Sequence, residues 1–396
     1  MSVYKKSNPE KFINIPTTMN SVIGASGQVG VNYGGFTTLY DTTSNVQAIG
    51  QVYLDGFIYS IGCDYISKID ASNMSVVKTM RVYCDGYGTI ATDGSYIYLA
   101  TVSGAVKVYK FDLDLVCIDR TSVSGVTNVN GSSVVVGGKF CFGCQASSGY
   151  RPTLVAIDTS TLTGSAVYFG TTAGLCTSVA TDGTDLYAYL YGGSISYVVK
   201  LTTALSLLYI KDKSAGTYGS VNIEGDYLYL NLANYGIYKF NKSDLSYVSG
   251  ISSITSSSPG GMDSNGNYSV TSSGLSIYIS NDNFATYDKY AFTGTVISSS
   301  IRGVSIDTNN NITISIGYTS SSSGWLGALK FNVDTIDGKT FDGNFLTFTK
   351  TSGSTSSISA SWPTSGTSGV AFTPTFSFAN TPTVQTIPTI ISLLTE

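Results

Sequence analysis

The sequence predicts an all-β fold, a seven-bladed β-propeller of four-stranded blades with extended N- and C-terminal arms. Three observations carry this: a turn-and-strand phrase recurs seven times, its copies lie about 42 residues apart, and no window keeps the 3.6-residue apolar period of a helix. The 396 residues are therefore read as one ring of repeats with two appended ends.

The clearest copy is Asp93-Gly94-Ser95-Tyr96-Ile97-Tyr98-Leu99, followed by Gly104 and the alternating strand Val106 to Asp112. Equivalent turns stand at Asp55-Gly56, Gly137-Gly138, Asp182-Gly183, Glu224-Gly225, Asn265-Gly266 and Asn310-Asn311, with spacings of 38, 44, 45, 42, 41 and 44 residues. Gly, Asn and Asp tolerate positive φ at a hairpin, and the flanking Tyr, Ile, Val and Phe fit a pleated surface. A second set of strands keeps the same register: Ile66–Asp70, Leu154–Asp158, Val198–Leu201, Ile237–Asn241, Ile277–Ile279 and Leu329–Asn332. With a short strand before each anchor and another after each second turn, every unit holds four strands.

The division expected is an N-terminal arm over 1–45 that supplies a ring-closing strand, a propeller over 46–340, and a C-terminal β arm over 341–396. Six of the eight prolines lie in the arms, where a missing N–H donor is tolerated. From Thr351 to Thr395 there is no charged residue, yet Trp362, Phe372, Phe376 and Phe378 sit among Ser and Thr. A solvated tail carries charge and few aromatics. The arm is therefore expected to pack as strands on the propeller or on a neighbouring subunit, and those four aromatics are the candidate assembly residues.

Composition removes many functions. The chain is 42% apolar and only 12% charged, with 21 Lys and Arg against 25 Asp and Glu. Nucleic-acid binding and a basic membrane patch are disfavoured. Without a single His there is no His-based triad, and the usual zinc and haem sites are missing a ligand. No catalytic residue, metal site or cofactor is assigned. The start lacks the apolar run of a secretory signal, and every later apolar stretch is broken by polar residues, so no membrane span is expected.

Weaker signals are each weighed against a plainer reading. Cys63, Cys84, Cys117, Cys141, Cys144 and Cys176 form an even set, with Cys141 and Cys144 at knuckle spacing, but a second ligand pair is missing. Disulfides are permitted, and buried thiols fit the habits of Cys. Asp263-Ser-Asn265-Gly-Asn267 and Asp307-Thr-Asn309-Asn-Asn311 have calcium-like oxygen spacing but lack the rest of the helix-flanked loop, so hairpin turns are expected. Arg81, Arg120, Arg151 and Arg302 would make an anion clamp only if the ring gathered three of them. The one striking excess is 29 tyrosines. Most fill strands, but Tyr87, Tyr150, Tyr191, Tyr235 and Tyr318 lie near turns and are the candidate binding residues, because a Tyr ring joins a flat apolar face to a polar tip.

The blade phrase resembles the loosely defined propeller repeats of surface and quinoprotein-like proteins, with an Asp-x-x-Gly-x-x-Tyr-Val type turn and strand. Ser280-Asn-Asp282-Asn-Phe284-Ala-Thr286-Tyr287 resembles a degenerate Asp-box, the hairpin of sialidase-type propellers, with Phe284 and Tyr287 departing from it. The composition is similar to that of virion and surface-layer proteins of acid-loving archaea and their viruses. That resemblance implies a non-enzymatic virion or cell-surface structural protein, joined to other subunits through its arms and attached to a host receptor or glycan, located outside a cell. The alternatives are a propeller hydrolase or lyase acting on glycans, revealed by an Arg/Asp/Tyr cluster at one channel mouth, and a cytoplasmic protein-interaction hub.

Overall fold

A computed structural model describes residues 35–41, 48–62, 64–84, 87–214, 217–252, 254, 259–293, 301–319, 324–336, 340–341, 347–377, 382–384 and 389–395. Seven antiparallel sheets stand around an axis, and among the described residues there is no helix. The blades span Ala48–Arg81, Gly88–Ser124, Val126–Tyr168, Leu175–Lys213, Gly219–Ile251, Pro259–Thr293 and Ile301–Asn332. The last has only three strands of its own. Gly35–Asp41 adds the fourth, pairing antiparallel with Gly324–Lys330 and so tying the N-terminal segment to the end of the ring.

All seven anchor residues hold positive φ, from 56° at Gly225 to 90° at Gly183, with Asn310 at 63°. At Gly56, Gly94, Gly183, Gly225 and Gly266 an added Cβ would meet nothing within 4 Å, so backbone conformation and not space requires Gly there. The turn between third and fourth strands works differently. Met74, Leu115, Leu162, Leu205, Leu245 and Phe284 all have φ between 50° and 64°, and each is at most 7% exposed. A left-handed non-glycine residue costs about 1–2 kcal/mol, while burying a Leu-sized side chain returns about 1.5–3 kcal/mol. Burial wins, and the turn pins the outer strand to the core.

Blades are joined by a repeated pair on facing strands. Tyr59/Lys68, Tyr98/Lys110, Tyr187/Lys200 and Tyr229/Lys239 sit directly across from each other, with each ammonium 5.4–6.0 Å from the tyrosine ring centre. Three of these lysines reach the next blade: Lys68 to Asp114 at 2.8 Å, Lys110 to the Thr159 carbonyl at 2.9 Å and Lys200 to the Lys242 carbonyl at 3.0 Å. Lys330 closes the circle, donating from blade seven to the Ala71 carbonyl of blade one at 3.1 Å while only 9% exposed. A buried ammonium needs such an acceptor.

The C-terminal segment makes a circuit of the whole ring. Thr347–Ser354 pairs with the outer strand of blade six over eight residue pairs. Ser357 then bridges Ile251 of blade five, and Thr364 bridges Lys211 of blade four. Val370–Phe372, Thr375–Ser377 and Thr383–Val384 add to blades three, two and one. Thr389–Thr395 pairs with Gly35–Asp41 in blade seven, and its end meets Thr340–Phe341, close to where the circuit began. The blades keep the expected four-strand core, and five of the seven sheets grow to five or six strands because the belt adds one to each, with a first strand in two pieces in blade three and Thr340–Phe341 in blade seven giving the sixth.

The described parts of the arm pack on this chain's own propeller, one of the two places expected for it. Trp362 is 6% exposed, with its ring 5.1 Å from Phe240 and 5.6 Å from Tyr238 of blade five. Phe372 lies 5.9 Å from Tyr168, and both Phe372 and Phe376 pack on the core between blades two and three. Trp362 is buried, and Phe372 and Phe376 half-buried, against their own ring because its outer strands offer free edges beside them; Phe378 lies outside the described residues.

Replacing Trp362 with Ala should destabilise the protein by about 3–5 kcal/mol in urea unfolding, the usual cost of a large aromatic lost from a core. A change below about 1 kcal/mol would show that the belt is not seated there.

Candidate functional site

Antiparallel strands of constant direction sort the loops onto two faces. Turns between first and second and between third and fourth strands lie on one, here the turn face; turns between second and third strands and the linkers between blades lie on the other, the linker face. The turn face is acidic. Asp55, Asp93, Asp114, Asp226, Asp244 and Asp334 are all exposed there.

The linker face carries the tyrosines. Tyr87 (48% exposed) sits in the linker between blades one and two, Tyr150 (56%) in a turn of blade three, and Tyr235 (43%) in a turn of blade five. Tyr191, at the end of the second strand of blade four, is half-buried and stacks 5.5 Å from Tyr218. Tyr318 ends the corresponding strand of blade seven, and its side chain lies outside the described residues. All five candidates thus belong to one face. Tyr218, 43% exposed, is a sixth that sequence reasoning missed. Its signal is the pair Tyr218-Gly219, matching Tyr87-Gly88 at the entry to an inner strand. At Gly219 a Cβ would come within 2.7 Å of Tyr189 and Leu232, so the strand entry is tight and the tyrosine before it stays outside.

Cations accompany these rings. Arg151 lies 4.6 Å above Tyr168, Lys213 is 4.5 Å from the Tyr238 ring and 5.8 Å from that of Tyr235, and Arg81 pairs with Asp64 at 3.1 Å. Burial lowers the pKa of Lys213. Arg81 and Arg120 lie on the outer strands of blades one and two, and Arg151 precedes the third strand of blade three, so the ring does not gather them into a clamp. The Arg302 side chain lies outside the described residues.

The axis holds a cavity of about 210 Å³ lined by the inner strands of all seven blades, including Gln51, Thr89, Asn130, Thr177, Ser220 and Met262. Among the described side chains of its wall there is no Asp, Glu, Lys or Arg. The inner strands approach closely: a Cβ on Gly131 would overlap the Thr177 carbonyl. Toward the turn face a recess of about 430 Å³ contains Tyr53, Asp263 and Asp307. Asp263 keeps some exposed surface, yet its oxygens accept the Ile306 and Ser264 amides at 2.9 Å, and burial raises its pKa to about 6.

The calcium-like turns use their oxygens internally. Asn265 Oδ1 accepts the Asn267 and Tyr268 amides, and Asp307 Oδ1 accepts those of Asn309 and Asn311. In Ser280–Tyr287, the Asp282 carboxylate accepts the Thr286 hydroxyl at 2.6 Å and Ser280 Oγ accepts the Phe284 amide at 2.8 Å, a self-contained turn. Cys117, Cys141, Cys144 and Cys176 are free thiols; Cys63 lies outside the described residues. Cys144 packs between blades two and three and Cys141 between three and four, on opposite sides of one strand. Burial pushes the Cys141 and Cys176 thiols up to about 12.

The ring has structural counterparts. It is similar to the β-propeller domain of Myceliophteria thermophila Cps50 (Swd1). The likeness covers 74% of this chain and all of that one, with a TM-score of 0.50 and 13% identity. BamB from Moraxella catarrhalis is similar over the same shares, with a TM-score of 0.45 and 13% identity. At this identity the likeness is one of fold. No protein-family model matches the chain, and no curated protein matches it in sequence.

Two outcomes follow. Asp263 binds its proton more tightly folded than unfolded, so stability should rise by about 2 kcal/mol as pH falls from 7 through 6 toward 4. Asp158, Asp182 and Asp282 are held below their ordinary values: hydrogen bonds from Ser160 and Lys139 hold Asp158, while bonds to neighbouring amides and hydroxyls outweigh burial at the other two. Their contribution is present above about pH 4 and lost below it. Melting temperature should therefore peak between about pH 4 and 6, and Asp263→Asn should flatten the rise from pH 7. Separately, iodoacetamide at pH 8 should leave Cys141, Cys144 and Cys176 unmodified in the native protein and alkylate them in urea, read by peptide mass spectrometry.

Proposed function

We propose that this chain is a non-enzymatic binding platform of a virion or cell surface, which engages its partners through the linker face. The observation that carries the reading is the display of Tyr87, Tyr150, Tyr218 and Tyr235, exposed on one face from four different places around the ring. Exposed tyrosines with a few nearby cations have the composition of an interface core, rich in aromatic area and poor in carboxylates. The described parts of the C-terminal segment lie along the ring's outer strands and leave the linker face open to partners.

Composition supports an exposed setting. With no His and 25 carboxyl groups, full protonation moves the formal charge only from −4 to +21 over 396 residues. Paired outer edges also deny proteases and other chains an open strand. An interaction role agrees with the use made of many closed propellers as rigid display scaffolds.

Mass spectrometry of the native source, separated into cytosol, envelope and released particles, should recover the chain in stoichiometric amounts from particles or envelope. Recovery confined to cytosol would contradict the external assignment and favour an intracellular hub. The triple variant Tyr87→Ala, Tyr150→Ala, Tyr235→Ala should keep its melting temperature and lose at least tenfold in affinity for particles or envelope.

A further inference from the structure

Beside the belt, at the rim between blades six and seven, lies a cleft of about 550 Å³, within the range of small-molecule sites. Blade six faces blade seven with the apolar pair Val270 and Ile279, directly opposite each other on adjacent strands, and they pack with Ile312, Leu329 and Phe331. Among the described residues lining the cleft no lysine crosses from blade six to blade seven as Lys68, Lys110 and Lys200 cross at their junctions.

The walls are aromatic and polar together. Tyr268 and Tyr287 are half-exposed, and Tyr290, 3% exposed, forms the floor. Asp334 is held by the Tyr268 hydroxyl at 3.3 Å and by the Asn310 amide at 3.0 Å. Asp288 receives the Ser352 hydroxyl at 2.6 Å and the Lys350 ammonium at 3.2 Å. Ser352 and Lys350 come from the belt, as does Gly353, whose backbone lies against the Tyr287 ring so closely that a Cβ would stand 2.5 Å from it. Tyr287 is braced from the other side by Tyr278, with ring centres 5.4 Å apart.

From this arrangement we infer that the cleft is a carbohydrate site for a short neutral oligosaccharide, completed by the belt. A half-exposed Tyr ring suits the flat C–H face of a pyranose, and carboxylates already fixed by neighbours accept sugar hydroxyls without reordering. Charge selects the neutral class. Lys350 is matched by Asp288, and among the described residues no cation pairs with Asp334, whose carboxylate repels acidic sugars. The inference rests on the attachment reading above and gives it a ligand class and a second place on the molecule.

The test uses the full chain on a printed array of neutral, N-acetylated and sialylated glycans, followed by titration of the strongest neutral ligand by saturation-transfer NMR. Neutral glycans should be retained and sialylated ones not. Tyr268→Ala and Asp334→Asn should each weaken binding at least tenfold. Ser352→Arg, at an exposed belt position, should block the cleft with the melting temperature unchanged, which keeps the test decisive if another variant misfolds. The triple linker-face variant should bind the same glycans as the wild type, so loss of partner binding with glycan binding intact separates the two sites. Retention of no neutral glycan, preference for sialylated ones, or affinity unchanged in all three cleft variants would overturn the assignment.

Discussion

Every blade of a propeller ends in an outer strand whose backbone N–H and C=O groups point outward without partners, and the rest of this structure depends on how those edges are covered. Open edges invite pairing with other chains. In this protein the covering strand is the protein's own C-terminal segment, which runs past blades six, five, four, three, two, one and seven in turn. The same segment joins both ends of the chain, because Thr389–Thr395 pairs with Gly35–Asp41 on one side and Thr340–Phe341 on the other. Ring closure and edge covering are thus one event.

The two faces of the ring differ in chemistry. The face of the first and third turns is acidic, while the linkers and second turns hold exposed tyrosine and the nearby Arg151, although both sets of turns place Gly, Asn or Asp at positive φ. Between the faces, tyrosine and lysine pairs link several neighbouring blades, and the apolar junction of blades six and seven opens at its rim into the cleft.

Much of this was legible in the residues. The anchor turns are visible because positive φ admits few residue types, and seven such positions at a regular spacing imply seven blades. The candidate tyrosines were chosen one at a time for being near turns; topology alone reveals that they share a face. Lys68, Lys110, Lys200 and Lys330 stand at matching places in sequence, each two residues before the Asp, Thr or Asn that ends its strand. They escape a reading by composition because a charged residue in an amphipathic strand is ordinarily taken as solvated. The left-handed Leu positions are equally regular and equally silent, since no propensity scale favours Leu at positive φ. The belt's course was hidden for a different reason. Its pairings last from one residue pair to eight and change blade each time, so no period of two persists long enough to be read. Only its lack of charge and its aromatics announced that it packs, and Trp362 found its partner on the same chain.

Hydrogen exchange measured by mass spectrometry on the intact protein tests the central claim most directly. If the ends close the ring, amides in 35–41, 347–354 and 389–395 exchange as slowly as those of the outer blade strands they pair with, and are released in the same cooperative opening. Exchange of these segments at the rate of a free peptide, while the blades stay protected, would contradict the account.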